Sequence, residues 1–388
     1  MGRQSTSRQD LAAALAAVLD DAAVVEVLLA WERGHRPLAW RKRPAGRRDP
    51  YATWIAEVML QQTTVAVVAE RLPAFLARFP DAAALARAGV EAVVDAWAGL
   101  GYYARARHLH RAAEEIIARH GGRLPADIDA LARLPGIGPY TAAAIAALAF
   151  GAPVIALDTN VARVLLRLSG QPATVAEARR ATGGRLELAP PAAARAGALL
   201  EALMDLGREI CRLRGPRCDL CPLASFCAAR RSGLVAEIPA RETRRPRRRL
   251  EVDAYVLRDE RDRVFVHRRG SGFLKGTWCV PLAAAAAQDA CGNGIGTGPP
   301  AAVAWRAGAG VVRHLFTHVE LVVRPLEGRL GRGDPAPRGE GEWLSADAAR
   351  RRGSTLLRRI LDAVEAGGGR RRRPRAPGGQ PPPSRGSR

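Results

Sequence analysis

Four cysteines lie close together in the second half of the sequence, and thiolates grouped in this way bind metals. They are Cys211, Cys218, Cys221 and Cys227, separated by six, two and five residues. A structural zinc site usually joins two Cys-x-x-Cys pairs, whereas this segment has one. A 4Fe–4S cluster needs four cysteine ligands without that pairing. The spacing therefore favours one 4Fe–4S cluster, with zinc or unligated thiols as the alternatives.

A glycine-containing turn is a candidate phosphate-binding site. The segment Leu-Pro-Gly-Ile-Gly-Pro-Tyr contains Gly136 and Gly138, and an apolar helix is expected to follow it to about Phe150. Two glycines so spaced allow positive φ and expose backbone N–H groups. Such groups at the start of a helix can bind a phosphate without a charged side chain. Taken alone, the pattern indicates a plain connector between helices more often than a phosphate site.

Hydrophobic spacing divides the chain into two folded modules. Residues 1–239 have apolar residues at helical spacing and little strand-like alternation, which predicts an all-α module. Residues 240–250 are Arg-rich without an apolar period, which is typical of a linker. Residues 251–365 have short strand-like segments and end in a helix, which predicts a smaller α+β module. Residues 366–388 are rich in Gly, Pro and Arg and are expected to form a disordered basic tail.

Composition restricts the class of protein. The 388 residues are 48% hydrophobic, which excludes wholesale disorder, and carry a net charge of +22, which favours a polyanionic partner such as nucleic acid. More than half of that charge lies in 240–250 and 366–388, where it can add non-specific attraction to DNA. The apolar run 141–157 is interrupted by Gly151 and Pro153, so it indicates a core segment rather than a membrane span. With no secretory signal pattern, we expect a soluble intracellular protein.

Three motifs, in this order and spacing, resemble the helix-hairpin-helix DNA glycosylases of the endonuclease III superfamily. They are the Leu-Pro-Gly-Ile-Gly turn, the Leu-Asp-Thr-Asn-Val segment at 157–161 and the cysteine loop at about 205–230. Upstream, Glu-Val-Met-Leu-Gln-Gln-Thr at 57–63 and Gly-Leu-Gly-Tyr-Tyr-Ala-Arg at 99–105 resemble the adenine DNA glycosylase (MutY) branch. The resemblance covers about residues 25–230 and implies an all-α glycosylase domain with one 4Fe–4S cluster.

The resemblance implies that Glu57 and Asp158 are the catalytic carboxyl groups. Removal of adenine requires protonation of the base and stabilisation of an oxocarbenium-like sugar, which two carboxyl groups can divide. Glu57 lies in an apolar segment, where burial raises a carboxyl pKa, and is expected to protonate adenine and help position water. Asp158 is expected to stay ionised and to stabilise or transiently bond the sugar cation. The alternatives are an exposed glutamate and an aspartate that only caps a helix.

Tyr140 and Asn160 distinguish two branches of the superfamily. The endonuclease III branch has Lys at the position of Tyr140, and its amine attacks the sugar. The only lysines here are Lys42 and Lys275, so we expect a monofunctional enzyme without Lys-dependent strand cleavage. Asn160 is typical of the adenine branch, although Thr159 stands where many members have Gly. Tyr140 is expected in the adenine site, with simple packing as the alternative.

Several residues are expected to contact DNA. A base must leave the duplex before it can be cleaved, and wedge side chains commonly fill the gap. By resemblance, Gln62 and Tyr102 are the wedges, and the Leu-Ala-Trp-Arg segment at 38–41 approaches the adenine pocket. The predicted DNA-contacting residues are Gln61, Gln62, Thr63, Tyr102, Gly136, Gly138, Trp40 and Arg41.

The second module resembles the Nudix-like C-terminal domain of adenine glycosylases. The segment Gly-Thr-Trp-Cys-Val-Pro at 276–281 matches one of its strands, but 282–289 is mostly Ala and lacks the glutamates that hold Mg²⁺ in Nudix hydrolases. Pyrophosphate hydrolysis is therefore not expected. Phe316, Thr317 and His318 resemble a Phe-Ser-His loop that recognises 8-oxoguanine opposite adenine. The alternative is a strand end with a surface histidine.

Together these features predict a DNA repair enzyme that removes adenine mispaired with 8-oxoguanine or guanine in double-stranded DNA. We expect it to be monomeric, cytoplasmic and associated with the bacterial nucleoid, with no membrane partner. The first alternative is an endonuclease III-like pyrimidine glycosylase with lyase activity. The second is a non-catalytic DNA-binding or lesion-sensing protein.

Overall fold

The computed structural model of the chain describes residues 7–34, 41, 48–242, 246–270, 274–284, 303–316, 318–331, 337 and 341–367. It separates into two compact units, Met1–Arg245 and Pro246–Arg388. Trp40 and Thr317 lie outside the described residues, as do 285–289 and most of the segment 366–388. Among the described helices, none is both long enough and apolar enough to cross a membrane.

The first unit consists mainly of helices joined by short turns. Several of them begin at a Ser, Thr or Asp side chain that accepts a backbone N–H of the first turn, as at Asp49 and Thr64. The helices that the structure describes here are α1 (Arg8–Asp20), α2 (Ala22–Arg33), α3 (Pro50–Leu60), α4 (Val65–Arg78), α5 (Ala82–Arg87), α6 (Gly89–Ala96), α7 (Ala104–His120), α8 (Ile128–Arg133), α9 (Pro139–Ile145), α10 (Thr159–Ser169), α11 (Val175–Thr182), α12 (Ala196–Glu209) and α13 (Ala228–Arg231).

The prediction of an all-α first module is wrong in one detail, because this unit also contains a small antiparallel strand pair. Strand β1 (Val154–Ala156) pairs with β2 (Arg185–Glu187). All three residues of β1 are buried, so it has no alternation by which the sequence could reveal a strand. The pair matters for the site, because β1 leads directly into Asp158 and the start of α10.

The predicted helix after the glycine turn is present but changes its geometry. Helix α9 continues as a π-helical turn, Ala146–Phe150, which ends at Gly151 with φ of 74°. Such turns are frequent at functional sites. Ala143 and Ala144 of α9, and Ala147 and Leu148 of this turn, belong to the same core as buried residues of α10 and α12.

The second unit is built around a mixed sheet with helices. Its described elements are β3 (Arg248–Arg258), β4 (Val264–Arg268), β5 (Trp278–Cys279), β6 (Leu282–Ala284), β7 (Arg306–Ala307), β8 (Val312–Leu315), β9 (Val319–Arg329), β10 (Glu342–Leu344), α14 (Ala346–Arg352) and α15 (Thr355–Gly367). Strand β3 lies at the centre, parallel to β9 and antiparallel to β4 and β6. Buried side chains of α15 belong to the core that includes those of β3 and β9.

The secondary structure of the second unit extends a few residues beyond the predicted module at 251–365, and the division between the two units, at Arg245 and Pro246, falls within the predicted linker. The Arg-rich stretch 240–250 was expected to be a linker, but β3 already begins at Arg248. Arg248 and Arg249 are exposed and Leu250 is buried, so only one of the first three side chains of β3 is in the core. The last helix continues to Gly367, two residues beyond the predicted end of the module at 365.

Candidate active site

One cavity of about 600 Å³ in the first unit brings together residues that are far apart in the sequence. Helix α3, the glycine turn with α9, the start of α10 and one face of α12 all contribute to it. Tyr102 does not line it, and the placement of Trp40 is not described. The predicted site residues that do line it are Glu57, Gln61, Gln62, Thr63, Gly136, Gly138, Tyr140, Asp158, Asn160 and Arg41.

Glu57 lies near the end of α3 and is 5% exposed. The Tyr140 hydroxyl donates to its Oε2 atom at 3.4 Å. Burial raises the pKa of Glu57, and the guanidinium groups of Arg48 and Arg41 oppose that rise. The carboxyl group therefore keeps its proton to a higher pH than an ordinary glutamate, as a general acid must.

Tyr140 is the second residue of α9, and its hydroxyl is available as a donor. Burial raises its pKa well above the ordinary value, and the nearby Glu57 carboxyl adds to the rise. The phenol stays protonated under ordinary conditions and can orient Glu57. This contact goes beyond the simple packing that was the alternative for Tyr140.

Asp158 occupies the position that caps α10. Its Oδ1 atom accepts the backbone N–H of Val161 at 2.6 Å, and its Oδ2 atom accepts from the Asn160 side chain at 3.3 Å. Burial raises the pKa of Asp158, although the Val161 N–H and the Arg179 guanidinium favour the ionised form. Asp158 therefore caps the helix and also lines the cavity, so the two interpretations of this residue are compatible.

Two acidic residues of α12 also line the cavity, and the sequence analysis missed them. Glu201 and Asp205 are buried, four residues apart on one face of the helix. Arg48 pairs with Glu201, and Arg41 pairs with Asp205 at 2.5 Å. Two acidic residues four apart among the apolar residues 199–206 were the sequence signal that could have indicated them. The pairs neutralise charge next to Glu57 and place Arg41 at the cavity.

The two glycines of the turn have different roles. Gly136 has φ of 78°, and a Cβ added to it would lie 2.6 Å from the Cβ of His108. Gly138 has an ordinary φ of −83°. It caps α9, and an added Cβ would meet no atom within 4 Å. The space in front of its backbone is open to a ligand.

The predicted wedge residues lie at the tips of two exposed turns. Gln62 has φ of 59° and Tyr102 has φ of 46°, and they are the non-glycine residues with positive φ in the described part of the first unit. Tyr102 is 44% exposed. Gln61 donates to the Thr141 hydroxyl at 3.1 Å, and Thr63 accepts from Arg105 at 3.2 Å. Strained backbone of this kind persists where its surroundings fix it, often at functional sites.

The four cysteines line one small cavity together with Arg167. An Nη1 atom of Arg167 lies 3.4 Å from the Cys211 sulfur. Burial raises the pKa of Cys221 to about 11, and the other thiols of the group add to the rise. A bound cation would reverse this preference and hold the thiolates. This sulfur-only donor set fits an iron–sulfur cluster.

A buried arginine that the sequence analysis missed connects the cysteine loop with the α10 start. Arg163 donates to the Asn160 side-chain oxygen at 2.8 Å and to the Cys211 carbonyl at 2.7 Å. It also donates to the Gly207 carbonyl at 2.7 Å. Its position one turn after Asn160 gave no clue to its partners in the distant segments, Gly207 and Cys211.

In the second unit, Phe316 and His318 of the predicted lesion-contacting segment lie between the end of β8 and the start of β9. The Phe316 N–H donates to the Val319 carbonyl at 2.7 Å, and His318 is exposed. Phe316 is half-buried against the core, with its ring 4.8 Å from that of His314. This segment therefore combines an anchored aromatic residue with an exposed histidine.

The first unit is similar to DNA repair proteins. The family described as HhH-GPD superfamily base excision DNA repair protein matches residues 55–187. A human adenine DNA glycosylase is 40% identical over 212 residues, which make up 52% of this chain and 38% of the human protein. An adenine DNA glycosylase of Mycolicibacterium smegmatis is 39% identical over 224 residues, which make up 57% of this chain and 74% of that protein. This chain belongs to the adenine DNA glycosylase family.

Membership of the adenine DNA glycosylase family confirms the resemblance inferred from the motifs. The match spans well under half of the human protein but about three quarters of the mycobacterial one. Among solved structures, a thermostable thymine-DNA glycosylase is 26% identical, with 54% of this chain and 96% of that chain covered and a TM-score of 0.45. The cavity described above lies in the unit that the family match covers.

Proposed function

We propose that this protein is a monofunctional adenine DNA glycosylase of base excision repair. Its substrate would be double-stranded DNA in which adenine is mispaired with 8-oxoguanine or guanine. The observation that carries the proposal is the presence of two carboxyl groups, the buried Glu57 and the partly buried Asp158, in one cavity that the Tyr140 hydroxyl also lines. Relatives named adenine DNA glycosylase support adenine as the base.

The arrangement supports a stepwise hydrolysis. Protonated Glu57 transfers its proton to a ring nitrogen of the extruded adenine, and the N-glycosidic bond breaks with its electron pair going to the base. The Asp158 carboxylate stabilises the resulting sugar cation. Water then adds to the sugar carbon and returns a proton to Glu57. Tyr140 and Asn160 orient the two carboxyl groups through the hydrogen bonds described above.

A Lys-dependent lyase reaction is not part of the proposal. Tyr140 presents a hydroxyl to Glu57 and cannot form a Schiff base with the sugar. The two lysines of the sequence lie at positions 42 and 275, far along the chain from the glycine turn. The protein should therefore release adenine and leave the DNA strand intact.

We further propose that Cys211, Cys218, Cys221 and Cys227 hold one 4Fe–4S cluster. The four residues share a cavity, and their spacing contains only one Cys-x-x-Cys pair. A single zinc ion draws its thiolates to about 2.3 Å from one centre. A cluster instead places several irons and sulfides between its thiolates, and it does not require the two Cys-x-x-Cys pairs that are usual in a structural zinc site. Its role here would be to fix the loop 211–227.

The second unit is proposed to be a Nudix-like lesion-recognition domain at 251–365, and 1–239 the glycosylase domain. The exposed His318 and anchored Phe316 support this assignment of the segment between β8 and β9. Thr317 completes the motif in the sequence. Contacts of these residues with 8-oxoguanine would select the base opposite adenine.

A panel of duplexes tests the proposed function. The holoenzyme should release adenine from A:8-oxoguanine and A:G pairs but not from A:T pairs, and it should leave thymine glycol in place. Treatment with borohydride during the reaction should trap no Lys-linked DNA adduct. Efficient trapping, or release of thymine glycol, would instead identify an endonuclease III-like lyase. DNA binding without release of any base would identify a lesion sensor.

A further inference from the structure

One buried arginine contacts both of the turns that carry the predicted wedge residues. Arg105 lies in the first turn of α7 and is 7% exposed. It stands in the Gly-Leu-Gly-Tyr-Tyr-Ala-Arg motif, but nothing in the motif distinguishes it from a solvated surface arginine. Its contacts in the structure distinguish it.

The first group of contacts is with the end of α3. The Nη1 atom of Arg105 donates to the carbonyls of Val58 at 2.8 Å and Met59 at 2.9 Å, and also to that of Gln61. Carbonyls in the last turn of a helix lack partners within the helix, and a cation is favourable there. Because Glu57 directly precedes Val58, Arg105 fixes the end of the helix that carries the proposed general acid.

The second group of contacts is with the two turns themselves. The Nη2 atom donates to the Thr63 hydroxyl at 3.2 Å, to the Leu100 carbonyl at 3.0 Å and to the Gly101 carbonyl at 3.2 Å. The guanidinium also lies 5.8 Å from the centre of the Tyr102 ring. One planar group thus joins the turn around Gln62 to the turn that precedes Tyr102.

These contacts bracket the strained residues. Gln61 and Thr63 lie on either side of Gln62, and Gly101 directly precedes Tyr102. Positive φ is unfavourable for residues with a Cβ atom, so such backbone is retained only where neighbouring contacts hold it. Three of the six acceptors of Arg105 therefore belong to residues directly next to the two strained positions.

We propose that Arg105 is a positioning residue that holds the Gln62 and Tyr102 turns at a fixed separation, so that both side chains enter the DNA together. The inference rests on the proposed function, because it assumes that these side chains fill the gap left by an extruded base. Lysine could not replace arginine here, because it has a single nitrogen whereas the arginine fork reaches six oxygens on separate segments.

Hydrogen–deuterium exchange of the free protein tests the positioning role without DNA. In Arg105→Met, amide exchange in 59–64 and 98–104 should rise together by about tenfold, the change expected from losing one charge-assisted hydrogen bond. Ile116→Ala is the matched control, because Ile116 is buried on the same helix, more than two turns away. The inference would be overturned if amide exchange in Arg105→Met rose in only one of the two segments. It would also be overturned if Ile116→Ala raised exchange in both segments as much as Arg105→Met does.

A second experiment measures base extrusion. In a Glu57→Gln background, which prevents base loss, a duplex with 2-aminopurine in place of the target adenine should fluoresce more strongly on saturation with protein. Arg105→Met should reduce that rise by about fivefold or more, whereas Ile116→Ala should retain it. If Arg105→Met does not fold, Arg105→Lys, which keeps the charge but loses the fork, should reduce it by about twofold or more.

The outcomes separate the two proposals. No fluorescence rise with the Glu57→Gln parent would contradict the proposed function, and the inference with it. If the parent shows the fluorescence rise, and folded Arg105→Met or Arg105→Lys shows the same rise in full, the inference is contradicted and the proposed function is not. A loss confined to the Arg105 variants would support both.

Discussion

Replacement of Gly136 by alanine should destabilise the first unit. The residue has φ of 78°, and the new Cβ would lie 2.6 Å from the Cβ of His108. A Cβ atom is fixed to the backbone, so rotation of the His108 side chain cannot relieve the contact. Either the glycine turn or α7 must shift.

The magnitude follows from three effects. Left-handed backbone costs an alanine roughly 1–2 kcal/mol, and overpacking against a neighbour costs roughly 1–3 kcal/mol. The reduced freedom of the unfolded chain offsets roughly 0.4–1 kcal/mol of this. We expect Gly136→Ala to lower the free energy of unfolding by about 3 kcal/mol, which corresponds to a fall in Tm of roughly 6–12 °C for a unit of this size.

Gly138→Ala provides the matched control. Its φ of −83° suits alanine, and the added Cβ meets no atom within 4 Å. The free energy of unfolding should therefore change by less than about 1 kcal/mol. Affinity for duplex DNA should nevertheless fall, because the methyl group would occupy space that a phosphate needs at the start of α9.

Thermal denaturation followed by far-ultraviolet circular dichroism measures the stability of both variants, and titration of a labelled duplex measures their affinity. We expect the stability loss in Gly136→Ala and a loss of affinity without loss of stability in Gly138→Ala. A Tm of Gly136→Ala equal to that of the parent would contradict the predicted clash with His108. A loss of stability in Gly138→Ala as large as that in Gly136→Ala would contradict it as well.

Three further predictions concern titration and the cysteines. Burial raises the pKa of Glu57, so the stability that its protonated form contributes is present below about pH 4.5 and is lost as pH rises through the folded-state pKa. Glu57→Gln cannot ionise and should therefore have a higher Tm than the parent at neutral pH. The difference in Tm should shrink as the pH is lowered. Tyr140→Phe removes a hydrogen bond that lowers the pKa of Glu57, so the alkaline limb of single-turnover excision should move to higher pH, and an unmoved limb would exclude Glu57 as the titrating acid. Iron analysis should show that Cys221→Ser loses the roughly four irons per chain expected of a cluster. Cys279 is a buried thiol in the second unit, and Cys279→Ser should retain the iron. Equal iron content in the two variants would contradict the proposed ligands.

Much of the fold was accessible from the sequence because helix starts and apolar spacing are local signals. The helical first unit and the mixed second unit were predicted in this way. Strand β1 was missed because its three residues are buried on both faces, so its pattern does not differ from that of a helical core segment. The start of β3 was missed because its arginines are exposed and only Leu250 points inward.

The site residues that stand in sequence motifs were predictable, whereas those whose role depends on contacts with distant segments were not. Glu57 and Asp158 stand in recognisable segments, and both line the cavity. Arg105 and Arg163 are buried arginines, and their sequence neighbours cannot reveal that they bind carbonyls of other segments. Burial of an arginine depends on the tertiary fold that supplies its acceptors.

The central claim is that the carboxyl groups of Glu57 and Asp158, which line one cavity, perform adenine excision. Single-turnover excision from an A:8-oxoguanine duplex at saturating enzyme should be measured for the parent, Glu57→Gln and Asp158→Asn. We predict release of adenine by the parent, and rate constants lowered by about 100-fold or more in each variant, with DNA affinity retained. Undiminished excision by Glu57→Gln would contradict the account.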